Sequence, residues 1–152
     1  MTTEEKQLLL KDLCARLPYG VKLYHEGDYG DNIGKLESVN INDDECVIWN
    51  YNGTDTDIFD IEACKPYLRP VSSITENEMD KLFEIAKVNP DGTDEDWISI
   101  NDVKGIRFHF LTGRYADTIG KICDYLDSIY IDYRELIPKG LALEAPKDMY
   151  KI

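Results

Sequence analysis

Histidine is almost missing from this chain: His25 and His109 are the only two in 152 residues. A histidine-rich metal centre is therefore excluded, and no HExxH, Walker A or GxSxG pattern is present either. Cysteine is sparse too. Cys14, Cys46, Cys64 and Cys123 show no CxxC spacing, and the opening Met1-Thr2-Thr3-Glu4-Glu5-Lys6 is polar, unlike a secretory leader. Four reduced thiols in a cytoplasm are expected, most of them in the core. No run approaches the roughly 18 apolar residues of a membrane span, so no membrane partner is expected.

Positive charge is the third shortage. Seventeen Lys and Arg face thirty Asp and Glu, a net charge of −13. Residues 1–20 and 105–152 are each balanced, so the whole imbalance lies between 21 and 104; residues 21–70 hold four basic against eleven acidic groups. The β-rich part is expected to carry most of the negative field. Such a field repels phosphate backbones, so direct nucleic-acid binding by counterion release is disfavoured, and a basic protein surface or a cation is favoured. A simple role in solubility competes with that reading.

What the chain does have is enough apolar matter, 43% with 11% aromatic, for a core of ordinary size. Residues 3–17 read as an amphipathic helix capped by Thr3, with Leu9, Leu10, Leu13, Cys14 and Leu17 as its apolar stripe. From Val21 the period shortens to strand-like runs, Val21–His25, Lys35–Ile41, Cys46–Tyr51 and Thr56–Ile61, the last two joined at the hairpin signal Asn52-Gly53. Several short strands in so little chain predict a small SH3-like antiparallel barrel, or a curved meander.

Lys65–Pro70, with two prolines, reads as a linker. Thr75-x-x-Glu78 is a capping box that starts a helix running to about Val88. Trp97–Ile100 and Gly105–Leu111 form a second hairpin, with Ile106, Phe108 and Phe110 on one face and Arg107 and His109 on the other. Residues 115–130 return to a helical period, and Asp132 can cap a short helix over Tyr133–Ile137. The fold class is α+β: an N-terminal helix and SH3-like β module over 1–70, then a helix–β-hairpin–helix module over 71–152.

No acid, base or nucleophile set stands out, and no catalytic residue, metal ligand or cofactor is assigned. Cys123 served by His109 lacks any supporting spacing. Asn40-Ile41-Asn42-Asp43-Asp44 begins like a calcium loop but lacks its glycine and closing glutamate. Gly27, Gly30 and Gly34 lie between strands and beside acidic residues, which argues against a phosphate loop. The aromatics of the β module are the better lead. With the acidic residues near them they give candidate binding positions Tyr24, Tyr29, Trp49, Tyr51, Tyr67, Asp43, Asp44, Asp55 and Asp57, together with Arg69; cross-strand packing is the simpler account of each ring. For a small anionic ligand, such as a nucleotide signal, the candidates are Arg69, Arg107, His109, Arg114 and Arg134.

Three segments bear a resemblance to known sequences: Glu4–Val21, Lys65–Pro70 with Ser72-Ser73-x-Thr75-Glu76, and Asp132–Pro146. They are similar to segments of small uncharacterised proteins that occur widely in phages and prophages of gut Bacteroides-type bacteria. The resemblance covers about a third of the chain and implies an accessory protein of a mobile element in a bacterial host cytoplasm. It brings no activity and no catalytic residues. Ile129-Tyr130-Ile131 stands where that group more usually has His-His-Phe. The expected function is a non-catalytic acidic protein that engages a basic host or phage protein, in counter-defence or nucleic-acid mimicry. Sequestering of a small anionic ligand is the alternative.

Overall fold

The computed structural model describes residues 1–26, 33–50, 56–91, 96–101, 105–109 and 115–151. Its contacts divide the chain into two units, Met1–Leu68 with Leu136–Ile152, and Arg69–Glu135.

In the first unit, helix α1 spans Thr3–Arg16. Its cap is Thr2, one residue before the expected Thr3. Only from Thr2 does a glutamate fall at the third helical position, where Glu5 N–H donates to Thr2 Oγ1 (3.1 Å) and Glu5 Oε2 accepts from Thr2 N–H (2.8 Å). The buried face is Leu9, Asp12, Leu13 and Arg16, the helical i, i+3, i+4, i+7 pattern. Two of these four are charged. Arg16 Nε lies 2.9 Å from Asp12 Oδ2, with both side chains fully buried.

Strands β1 (Lys22–His25), β2 (Ile33–Asn40), β3 (Glu45–Asn50), β4 (Thr56–Asp60) and β5 (Cys64–Leu68) follow, and β8 (Leu143–Glu144) joins from the far end of the chain. The sheet order is β4-β3-β2-β1-β5-β8, antiparallel except for β5 with β8. A register shift between Leu36 and Ser38 makes Glu37 a bulge. The extra residue puts Val39, opposite Cys46, on the same inner face as Leu36, where strict alternation would have turned it outward.

The sheet is strongly coiled. His25 of β1 stacks on Phe59 of β4 with centroids 4.3 Å apart, although three strand spacings separate those strands, roughly 14 Å in a flat sheet. It is nevertheless open: among the described residues β4 and β8 are its edges and no ladder joins them. The expected closed barrel is not seen. Inside the curl lie Leu23, Leu36, Cys46, Ile48, Cys64 and Leu68, with Leu9 and Leu13 of α1 also fully buried. A Leu or Ile removed from water in this way contributes roughly 2 kcal/mol.

The segment read as a linker is β5. Cys64, Pro66 and Leu68 alternate inward, and β8 pairs only with Tyr67 and Leu68. Pro66, opposite Leu23, therefore lies beyond the reach of β8, and its missing N–H deprives that neighbour of nothing.

The second unit holds α2 (Glu76–Ala86), β6 (Trp97–Asn101), β7 (Gly105–His109) and α3 (Tyr115–Ser128). Thr75 caps α2 as its sequence predicts, and Lys87 ends it at φ 55. The core is Leu82, Ala86, Val88, Ile98, Ile122, Leu126, Ile129 and Ile131, with Ile106 and Phe108 packed against it. The short helix expected over Tyr133–Ile137 is absent. These residues form turns, and Glu135 sits at φ 61, a conformation no right-handed helix accommodates.

Candidate functional site

Asp43 and Asp44 lie in the turn Ile41–Asp44 between β2 and β3. Asn40 closes this turn: its carboxamide donates to the Asp43 carboxylate, and its Oδ1 accepts from Asn42 N–H at 3.2 Å. The oxygens that resemble a calcium loop are thus engaged locally. Among the described residues no three His, Cys, Asp or Glu side chains are arranged to hold a metal ion.

Lys6 of α1 reaches this turn, with Nζ 2.8 Å from Asp44 and 3.6 Å from Glu62. The hydrogen bond that Lys6 donates to Asp44 raises the Lys6 pKa. Next to it the register sets Glu45 of β3 directly opposite Asp60 of β4. Like charges facing each other destabilise a strand pair. Among the described residues neither has a Lys or Arg within ion-pair distance. Along β4, Thr56, Asp57, Ile58 and Asp60 are all exposed, Ile58 by 63%. Trp49 sits in register between Lys35 and Thr56.

The remaining candidates scatter. Tyr24 and Tyr67 come together on β1 and β5: burial raises the Tyr67 hydroxyl, and the neighbouring Tyr24 adds to it. Tyr150 Oη donates to Tyr67 O and accepts from Lys22 N–H, both at 2.9 Å. A hollow of about 350 Å³ nearby is lined by Lys22, Ile33 and Pro146–Met149, where Lys22 Nζ donates to Met149 O at 2.9 Å. Tyr29, Tyr51, Asp55 and Arg114 lie outside the described residues.

In the second unit two of the candidate arginines are held by carboxylates. Arg69 grips Glu78 through two bonds (2.8 and 3.0 Å) and also donates to Ser73 O and Ile129 O. Burial alone would raise the Glu78 carboxyl, but the bonds from Arg69 and Thr75 outweigh it and hold its pKa low. Arg134 grips Asp127 at 2.7 and 3.3 Å and lies 4.2 Å over the Tyr133 ring. Arg107 and His109 are exposed on β7, His109 loosely stacked on Trp97 of β6 with centroids 6.2 Å apart.

Buried thiols complete the inventory. The Cys46 thiol is pushed far up by its hydrogen bond with Cys64, by burial and by the neighbouring sulfur, so it is a poor nucleophile. Cys123 packs beside Tyr133, whose hydroxyl burial pushes up.

Sequence reasoning missed Lys6, Glu45, Asp60, Ile58 and Trp97. The pairing of Glu45 with Asp60 needed the β3–β4 register, whereas Trp97 was visible as the alternate of the apolar Ile98. The charge is not confined to the β module. The first unit holds nine basic and sixteen acidic groups and the second eight and fourteen, because the acidic stretch 76–102 belongs to the latter. Comparison with protein-family models, curated proteins and solved structures finds no match.

Proposed function

We propose that this chain is a non-catalytic acidic binding protein of phage or prophage origin. Its first unit, read as an SH3-like module, engages a basic host or phage protein in the host cytoplasm. The observation that carries this reading is the Glu45–Asp60 pairing, two carboxylates opposed across β3 and β4 and preceded in the turn by Asp43 and Asp44. An intruding Lys or Arg relieves that repulsion, so part of the binding energy is already stored in the free protein. The strand order, with a turn of 3-10 helix at Ile61–Ala63 before β5 returns to β1, supports the SH3-like assignment. Titration calorimetry with a lysine-rich peptide tests it. Affinity should fall at least about tenfold between low and moderate salt, as exposed charges are screened. Binding indifferent to salt would count against the reading.

A second reading has an observation of its own. Strands β6 and β7 carry no carboxylate, yet present Trp97, Arg107 and His109 on their exposed side. That composition suits a small aromatic anion such as a nucleotide. A thermal-shift titration with nucleotides should then raise the midpoint by ligand linkage, and Trp97→Ala should abolish the rise.

A further inference from the structure

β4 is an edge strand. Its five residues pair with β3 on one side, and among the described residues no strand pairs with the other. Every second residue of such an edge therefore turns its backbone N–H and C=O away from β3, where they can continue a ladder. Natural proteins often guard such edges with lysine or proline; this one bears Asp60 on the same face as an isoleucine that is 63% exposed.

We infer that β4 takes up an extended basic segment of the partner protein as an added strand. The inference rests on the proposed acidic docking and states how the partner is held. Main-chain bonds to Thr56–Asp60 would supply affinity, an apolar residue would cover Ile58, and a Lys or Arg two positions from it, on the same face, would meet Asp60 beside Glu45. Charge complementarity selects this edge over the others. β8 offers only Leu143 and Glu144, and β6 and β7 carry no carboxylate to draw a basic strand.

The test uses the full chain and two synthetic peptides of identical charge. One carries a lysine two positions from a central valine, so that both fall on one face of the strand; the other has the same sequence with its central amides N-methylated, so that it cannot join a ladder. The first should bind at least about tenfold more tightly, a difference of about 1.4 kcal/mol, and slow amide hydrogen exchange at 56–60. Asp60→Lys should abolish binding and Asp60→Asn weaken it, with circular dichroism confirming the fold of each. Equal affinity of the two peptides would overturn strand addition while leaving acidic docking intact. Exchange protection on β6 or β7 instead would overturn the assignment to β4. If neither peptide binds, both readings fail together.

Discussion

Glu78 receives three donors at once, the two Arg69 nitrogens and the Thr75 N–H, and it links the cap of α2 to the fixed Arg69 backbone. Arg69 itself is tied by N–H to Tyr130 O and by its carbonyl to Asp132 N–H, both at 2.8 Å. Because its folded pKa is depressed, Glu78 stabilises the protein fully above the unfolded carboxyl value and loses that contribution as pH falls through the folded one. Glu78→Gln should therefore cost about 3 kcal/mol near neutral pH in urea unfolding. The gap from the parent protein should narrow as pH falls below the unfolded carboxyl value, about 4.3, and close once the depressed folded value is passed. Asp12 poses the opposite problem, an ion pair with no exposure at all. Asp12→Ala leaves the Arg16 guanidinium buried without this carboxylate and should cost roughly 3–5 kcal/mol. Asp12→Leu/Arg16→Met should cost less than that single change, since it removes both charges; denaturant midpoints compare them directly.

At the level of elements, the ends of α2 give two predictions of opposite sign. Thr75→Ala removes the cap and should destabilise by about 1 kcal/mol. Lys87→Gly should stabilise by up to about 1 kcal/mol, because Lys87 holds φ 55, where a side chain is strained and glycine is not. Thermal unfolding of the two variants checks both. The capping box at Thr75, the apolar periods of α1 and α3 and the β6–β7 hairpin were legible in the sequence because each is a local rule. The misreadings have a common cause. β5 looks like a linker by its two prolines, and only the shortness of β8 makes Pro66 tolerable. The bulge at Glu37 and the left-handed Glu135 likewise depend on what lies across from them, not on their neighbours in sequence. The candidate site was legible as residue types, Asp43 and Asp44, but not as a place. Their meeting with Glu45 and Asp60 is a matter of register.

For the whole molecule, the division of charge matters more than its total. The two units carry −7 and −6, so overall acidity selects neither as the docking surface, and the choice falls to local geometry at β3 and β4. The chain after Leu136 belongs to the first unit, where Leu136, Leu141 and Ala142 are buried and Ala145 N–H donates to Leu68 O at 2.7 Å. Deleting residues 136–151 should expose β5 and strip exchange protection from the first sheet, while α2 and α3 keep theirs. Hydrogen-exchange mass spectrometry on the truncated chain reads this out.

That return has a consequence for synthesis on the ribosome. Domains are usually completed in the order in which they emerge, N-terminal first. Here the stretch Arg69–Glu135 is continuous and can pack its own core as soon as it leaves the exit tunnel, whereas the earlier stretch waits for β8, which is made after it. The second unit is thus expected to mature before the first, and a nascent chain stalled before Leu136 would hold an unfinished sheet.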